Sequence, residues 1–93
     1  MAKLIREYGA ELVSVEPVNT VLPEEWSWRL RYIGLQGHLS VMESEHKHQG
    51  QQFLYFLGRD GRYLKTSCGT AKFQTDTITF ETKQSTYVFR IIH

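Results

Sequence analysis

Cys68 is the only cysteine of the 93 residues, and Pro17 and Pro23 are the only prolines. With one thiol no internal disulfide can form, which excludes the stapled scaffold of a small secreted domain. No stretch approaches the roughly 18 apolar residues of a membrane-spanning helix. The opening "MAKLIREYG" lacks the apolar run of a secretory signal. A cytoplasmic protein with no membrane partner is the expectation. Net charge is also scarce: the formal value is +1, so the chain as a whole has no preference for nucleic acid or anionic membrane.

Catalytic signatures are equally sparse. Neither the phosphate-cradling P-loop nor the dinucleotide fingerprint occurs. Ser40 and Ser67 lack nucleophile-elbow context. Cys68, in "TSCGT", has no acidic neighbour to orient a base and reads as a small turn residue. Asp60 reads as a turn former and Asp76 lies near a strand junction, so no carboxylate pair suggests acid–base work. The expectation is a protein that is not an enzyme and needs no cofactor.

What the chain does have is apolar and aromatic mass: 41% hydrophobic residues and 13% aromatic argue against disorder. The length suits one small domain. Short punctuation such as "GLQG", "GRDGR" and "SCGT" separates runs rich in Val, Ile, Thr, Tyr and Phe, the pattern of short strands joined by turns. "AELVSVEPV" reads as a strand with Val13 and Val15 on one side. In "WSWRLRYIG" Trp26, Trp28, Leu30 and Tyr32 alternate with Ser27, Arg29 and Arg31. Pro23-Glu24-Glu25 before it and Gly34 after it resemble a helix start and stop, yet the period of two favours a strand. "GHLSVMESE" points Leu39 and Val41 inward. "QQFLYFLGRDGRYLKTS" reads as a hairpin turning at Asp60-Gly61. Its run Phe53 to Leu57 is apolar throughout, as in a strand covered on both faces or lying at the barrel centre. Two or three strands follow, with Ile78 and Phe80, then Tyr87, Phe89 and Ile91, on alternating positions.

The first ten residues stand apart, because Leu4, Ile5, Tyr8 and Leu12 fit helical spacing with Gly9 as an interruption. The expected class is therefore all-β, one domain over residues 1–93. It is a small antiparallel barrel, SH3-like or similar, or a compact sandwich, of six to eight short strands. A short N-terminal helix is kept as an option.

Three binding chemistries follow from the residues. Twelve aromatics exceed what so small a core readily buries, and the surplus with arginine rims would make a protein-binding or self-associating surface. The alternative is a barrel that stacks single-stranded nucleic acid on aromatics between basic residues. Both readings draw on Arg29, Arg31, Tyr55, Arg59, Arg62, Tyr63 and Lys65. The third is "MESEHKHQG", where His46 and His48 could ligate metal or sense pH. In an extended strand those histidines would face away from Glu43 and Glu45, so ligation requires a turn between Ser44 and Lys47. A solvated loop tip is the simpler reading, with His38 an uncommitted third ligand.

The C-terminal third, "LKTSCGTAKFQTDTITFETKQSTYVFRII", resembles the ending of small proteins of phages, plasmids and other mobile elements. The shared features are Thr66-Ser67, a short turn, then Thr82, Ser85, Tyr87 and Phe89. The resemblance implies a non-enzymatic accessory or inhibitory role through a protein partner, and carries over no catalytic residue.

Overall fold

The computed structural model describes residues 3–18, 29–44 and 51–92. Among these residues seven antiparallel strands form one sheet: β1 (Lys3–Pro17), β2 (Gln36–Glu43), β3 (Gln52–Gly58), β4 (Tyr63–Lys65), β5 (Gly69–Phe73), β6 (Thr77–Thr82) and β7 (Ser85–Ile92). β2 pairs with β1 and β3, β4 with β3, β6 with β5 and β7, and β7 returns to β1. The ring closes where Gln52 of β3 meets Gly69 of β5. The result is a small antiparallel barrel in which successive strands are neighbours, a layout that hides most strand edges.

Closure depends on β4 and β5 behaving as one bent strand. It runs beside β3 from Tyr63 to Lys65, then leaves for β6. At the departure point Thr66 donates its N–H to the Leu54 carbonyl, while its Oγ1 accepts the Leu54 N–H, both at 2.9 Å. A side chain thus stands in for the missing rung of the ladder, which keeps a buried amide satisfied. Thr66 is itself buried.

Alternating residues of every long strand fill the interior. Leu39 and Val41, Leu54 and Phe56, Ile78 and Phe80, and Tyr87 and Phe89 are all buried. The Phe56 and Phe89 rings meet at 5.2 Å between centroids, tilted by 58°. The period-two reading of β2, β6 and β7 therefore holds, and Asp60-Gly61 makes the expected turn. Gly61 has φ of 91°, and Asp60 Oδ1 accepts the Arg62 N–H at 3.0 Å.

Four expectations change. No helix forms near the N-terminus, because β1 extends through it: Lys3–Glu11 pairs with β2 and Gly9–Pro17 with β7. Two sheet edges claim this backbone, and Gly9 weakens a helix while letting β7 approach, since a Cβ there would lie 2.9 Å from the Ile92 carbonyl oxygen. Second, Val13 and Val15 do not share a side. The register slips between Leu12 and Ser14, so Leu12 and Val15 both point inward and Val13 is 45% exposed.

Third, Trp26 and Trp28 lie outside the described residues, and the rest of that proposed strand is a 3₁₀ turn over residues 29–32. Both edges of β1 are already taken, so this segment packs as a cover. Tyr32 and Leu35 press on the core, and the Gly34 N–H reaches the Leu12 carbonyl at 2.8 Å. Gly34, with φ of 89°, ends the turn. Fourth, the Phe53–Leu57 run is covered on one face only: Leu54 and Phe56 are buried, whereas Leu57 is 43% exposed. Among the described residues no helix is long and apolar enough to cross a membrane.

Candidate binding surface

The registers of β1 to β4 set the outward side chains in three rows. The first is Leu4, Met42 and Phe53; the second is Glu7, Ser40, Tyr55 and Lys65; the third is Gly9, His38, Leu57 and Tyr63. Same-face residues recur every second position, a register shift between Leu4 and Arg6 brings Leu4 and Glu7 to the same side, and neighbouring strands lie about 4.8 Å apart, so these side chains form one continuous surface. Its middle is a shallow depression lined by Leu4, Met42, Phe53 and Tyr55, with Glu7 and Lys65 at opposite edges.

The apolar members are open to solvent, Leu57 at 43%. Leu4 is 45% and Tyr63 59% exposed. Tyr55 and Tyr63 stack with centroids 5.7 Å apart and planes within 14°, and Lys65 Nζ lies 5.2 Å above the Phe53 ring. On the acidic side, Glu7 Oε1 is 3.4 Å from His38 Nε2, with both side chains about half exposed. A contiguous apolar patch with a charged rim is the usual mark of an interaction site.

The opposite face of the barrel has a different character. There Thr77, Thr79, Thr86 and Thr70 mix with Lys72, Glu81, Arg90 and Glu11, with Val88 and Ile92 as the apolar outward residues of β6 and β7. Glu11 accepts hydrogen bonds from Gln36 at 3.1 Å and Arg90 at 3.0 Å, which hold its carboxyl below the usual range. Lys72 and Glu81 pair at 3.4 Å.

The residues expected from sequence at a binding surface separate into groups. Tyr55, Tyr63 and Lys65 share the apolar face. Arg29 turns to the barrel end, where its Nε–H donates to the Tyr87 hydroxyl at 3.1 Å. Arg62 pairs with Asp60 at 2.6 Å, donates to the Arg31 carbonyl at 3.1 Å and lies 5.2 Å over the Tyr32 ring. It fastens the β3–β4 turn to the covering segment. The amide of Arg59 serves the same junction, donating to the Gln36 carbonyl at 2.9 Å. Asp60 is held below its ordinary pKa by the Arg62 amide first and the guanidinium second.

His46 and His48 lie outside the described residues. Among the described residues no group of three or more His, Cys, Asp or Glu side chains could hold a metal ion. Cys68 is half-buried beside Gln51, Ser67, Lys83 and Gln84.

No protein family, curated protein or solved structure matches the chain. The apolar face is thus the feature on which a functional reading can be built. Sequence reasoning overlooked Leu4, Glu7, His38, Met42, Phe53 and Leu57 there. The signal for Phe53 and Leu57 is present in their own run, whose odd positions face outward as fully apolar as its even positions face inward, while Leu4, Glu7, His38 and Met42 join through the registers of β1 and β2.

Proposed function

We propose that this barrel is a non-catalytic binding protein that acts by docking on a protein, either another chain or a copy of itself, through the outer face of β1 to β4. The observation that carries the reading is the exposure of Leu4, Leu57 and Tyr63 in one patch with Phe53 and Tyr55, whereas exposed apolar residues elsewhere on the strands, such as Val13 and Phe73, stand among the largely polar rows of β5 to β7. Burying such a patch contributes roughly 25 cal/mol per Å² of apolar area. The interior offers no comparable opportunity, since Phe56, Phe80 and Phe89 occupy it. We assign the work to the cytoplasm. The accessory or inhibitory role of the mobile-element proteins that the C-terminal third resembles is the biological setting we attach to it.

The test compares capture by the native protein with capture by two surface variants. Tyr55→Lys with Leu57→Asp should abolish recovery of the partner, while Thr79→Lys with Val88→Asp should leave it intact at equal melting temperature. Recovery insensitive to the first pair would overturn the reading. Tyr55, Tyr63 and Lys65 on one face also suit a nucleic-acid strand. In that case an oligonucleotide should bind and its affinity should fall steeply with salt.

A further inference from the structure

The outer face is not symmetric across its width, and its asymmetry has a pattern. The acid sits on β1 and the base on β4, at the two ends of one row: Glu7, Ser40, Tyr55, Lys65. In two of the rows a tyrosine on β3 or β4 has a small residue at the matching position on β2 or β1. Tyr55 mirrors Ser40, and Tyr63 mirrors Gly9, about a line between β2 and β3.

Two identical faces brought together by a two-fold axis along that line invert this order. Lys65 of each copy then lies over Glu7 of the other. Tyr55 lies over Ser40, Tyr63 over Gly9, and Phe53 over Met42. Leu57 lies over His38, the row of Leu4 has no β4 member, and both charges are met by their opposites. An isologous contact demands this kind of self-complementarity, because each residue of the patch meets its counterpart twice. Sheets packed face to face in this way lie about 10 Å apart with strands nearly aligned.

Building on the reading of this face as a docking surface, we infer that its occupant is a second copy of the chain, seated about a two-fold axis between β2 and β3. The strand and residue spacings give a face roughly 20 Å on a side, or about 400 Å² of contact on each copy. That is below the roughly 800 Å² per partner of standard stable complexes. That is the size of a weak or transient contact, so the dimer forms at high local concentration.

Charge reversal tests the arrangement by sedimentation equilibrium of the purified chain. Glu7→Lys puts two lysines together at each edge, and Lys65→Glu puts two acids together. Each variant alone should weaken self-association by about tenfold or more. An equimolar mixture of the two should recover it, because each lysine-only copy then faces an acid-only copy at both edges. Ser40→Trp, which fills the space opposite Tyr55 and changes no charge, should also weaken the dimer.

A native protein that stays monomeric at high concentration overturns the inference. So do single variants that associate as the native chain does, or a mixture that stays monomeric. A native monomer that still captures another protein through the Tyr55 and Leu57 face removes self-association and leaves the docking reading standing. A native monomer that captures nothing removes both.

Discussion

Arg29 and Tyr87 are 58 residues apart in the chain, and Arg29 Nε–H donates to the Tyr87 hydroxyl at 3.1 Å. Tyr87 is 2% exposed, so a buried hydroxyl is served by a charged donor from the covering segment. Arg29→Ala and Tyr87→Phe should each lower unfolding free energy by about 1–2 kcal/mol in urea. The double variant should lose less than the sum of the two, a coupling of about 1 kcal/mol. Strict additivity would mean that the contact contributes nothing.

The bend between β4 and β5 rests on Thr66. Thr66→Val keeps the shape and removes the oxygen that accepts the Leu54 N–H, leaving that amide without this partner. The expected loss is about 1–3 kcal/mol, seen as a lower urea midpoint with an unchanged slope. Thr66→Ser should retain most of the stability. A stable Thr66→Val with an unstable Thr66→Ser would assign the contribution to the methyl group instead.

Two glycines should respond to alanine for different reasons. At Gly69 a Cβ would collide with the Glu81 carbonyl where the barrel closes, so Gly69→Ala should cost about 3 kcal/mol or prevent folding. At Gly61 the space is open, and only the φ of 91° opposes a side chain. Gly61→Ala should cost about 1 kcal/mol. Thermal unfolding separates the two, since 1 kcal/mol moves the midpoint by about 4–8 °C in a domain of this size.

Acid should destabilise the fold in a defined window. The carboxyls of Glu11 and Asp60 are both depressed in the folded state, by hydrogen bonds from Gln36 and Arg90 and from Arg62 respectively. A depressed carboxyl stabilises the fold fully above its unfolded pKa, near 4, and loses that contribution as pH falls through the folded value. The melting temperature should be flat near neutrality and fall below about pH 4. Glu11→Gln with Asp60→Asn should flatten part of that fall; an identical acid profile would assign it to other groups.

Much of this was legible in the chain, and the exceptions share a cause. Ile78, Phe80, Tyr87 and Phe89 alternate with polar residues, so their strands and inward faces follow from period alone. Val13 defeats that logic because a bulge adds one residue, and nothing local in "LVSV" announces it. Residues 29–32 defeat it because a cover over a barrel end needs apolar contacts at Tyr32 and Leu35, not a pleat. The outer face was half visible: Tyr55, Tyr63 and Lys65 were identified, but Glu7 and Leu4 join them only through the register of β1 on β2. Arg29 and Arg62 look like surface cations in sequence, and tertiary partners give both a structural task.

The central claim is that the outer face of β1 to β4 is where this protein meets proteins. Photo-cross-linking in the source cells tests it most directly, with benzoylphenylalanine placed at Tyr55 in one sample and at Thr79, on the polar face, in another. A protein adduct is expected from position 55 and none from position 79. Adducts from position 79 alone, equal adducts from both positions, or none from either would contradict the claim.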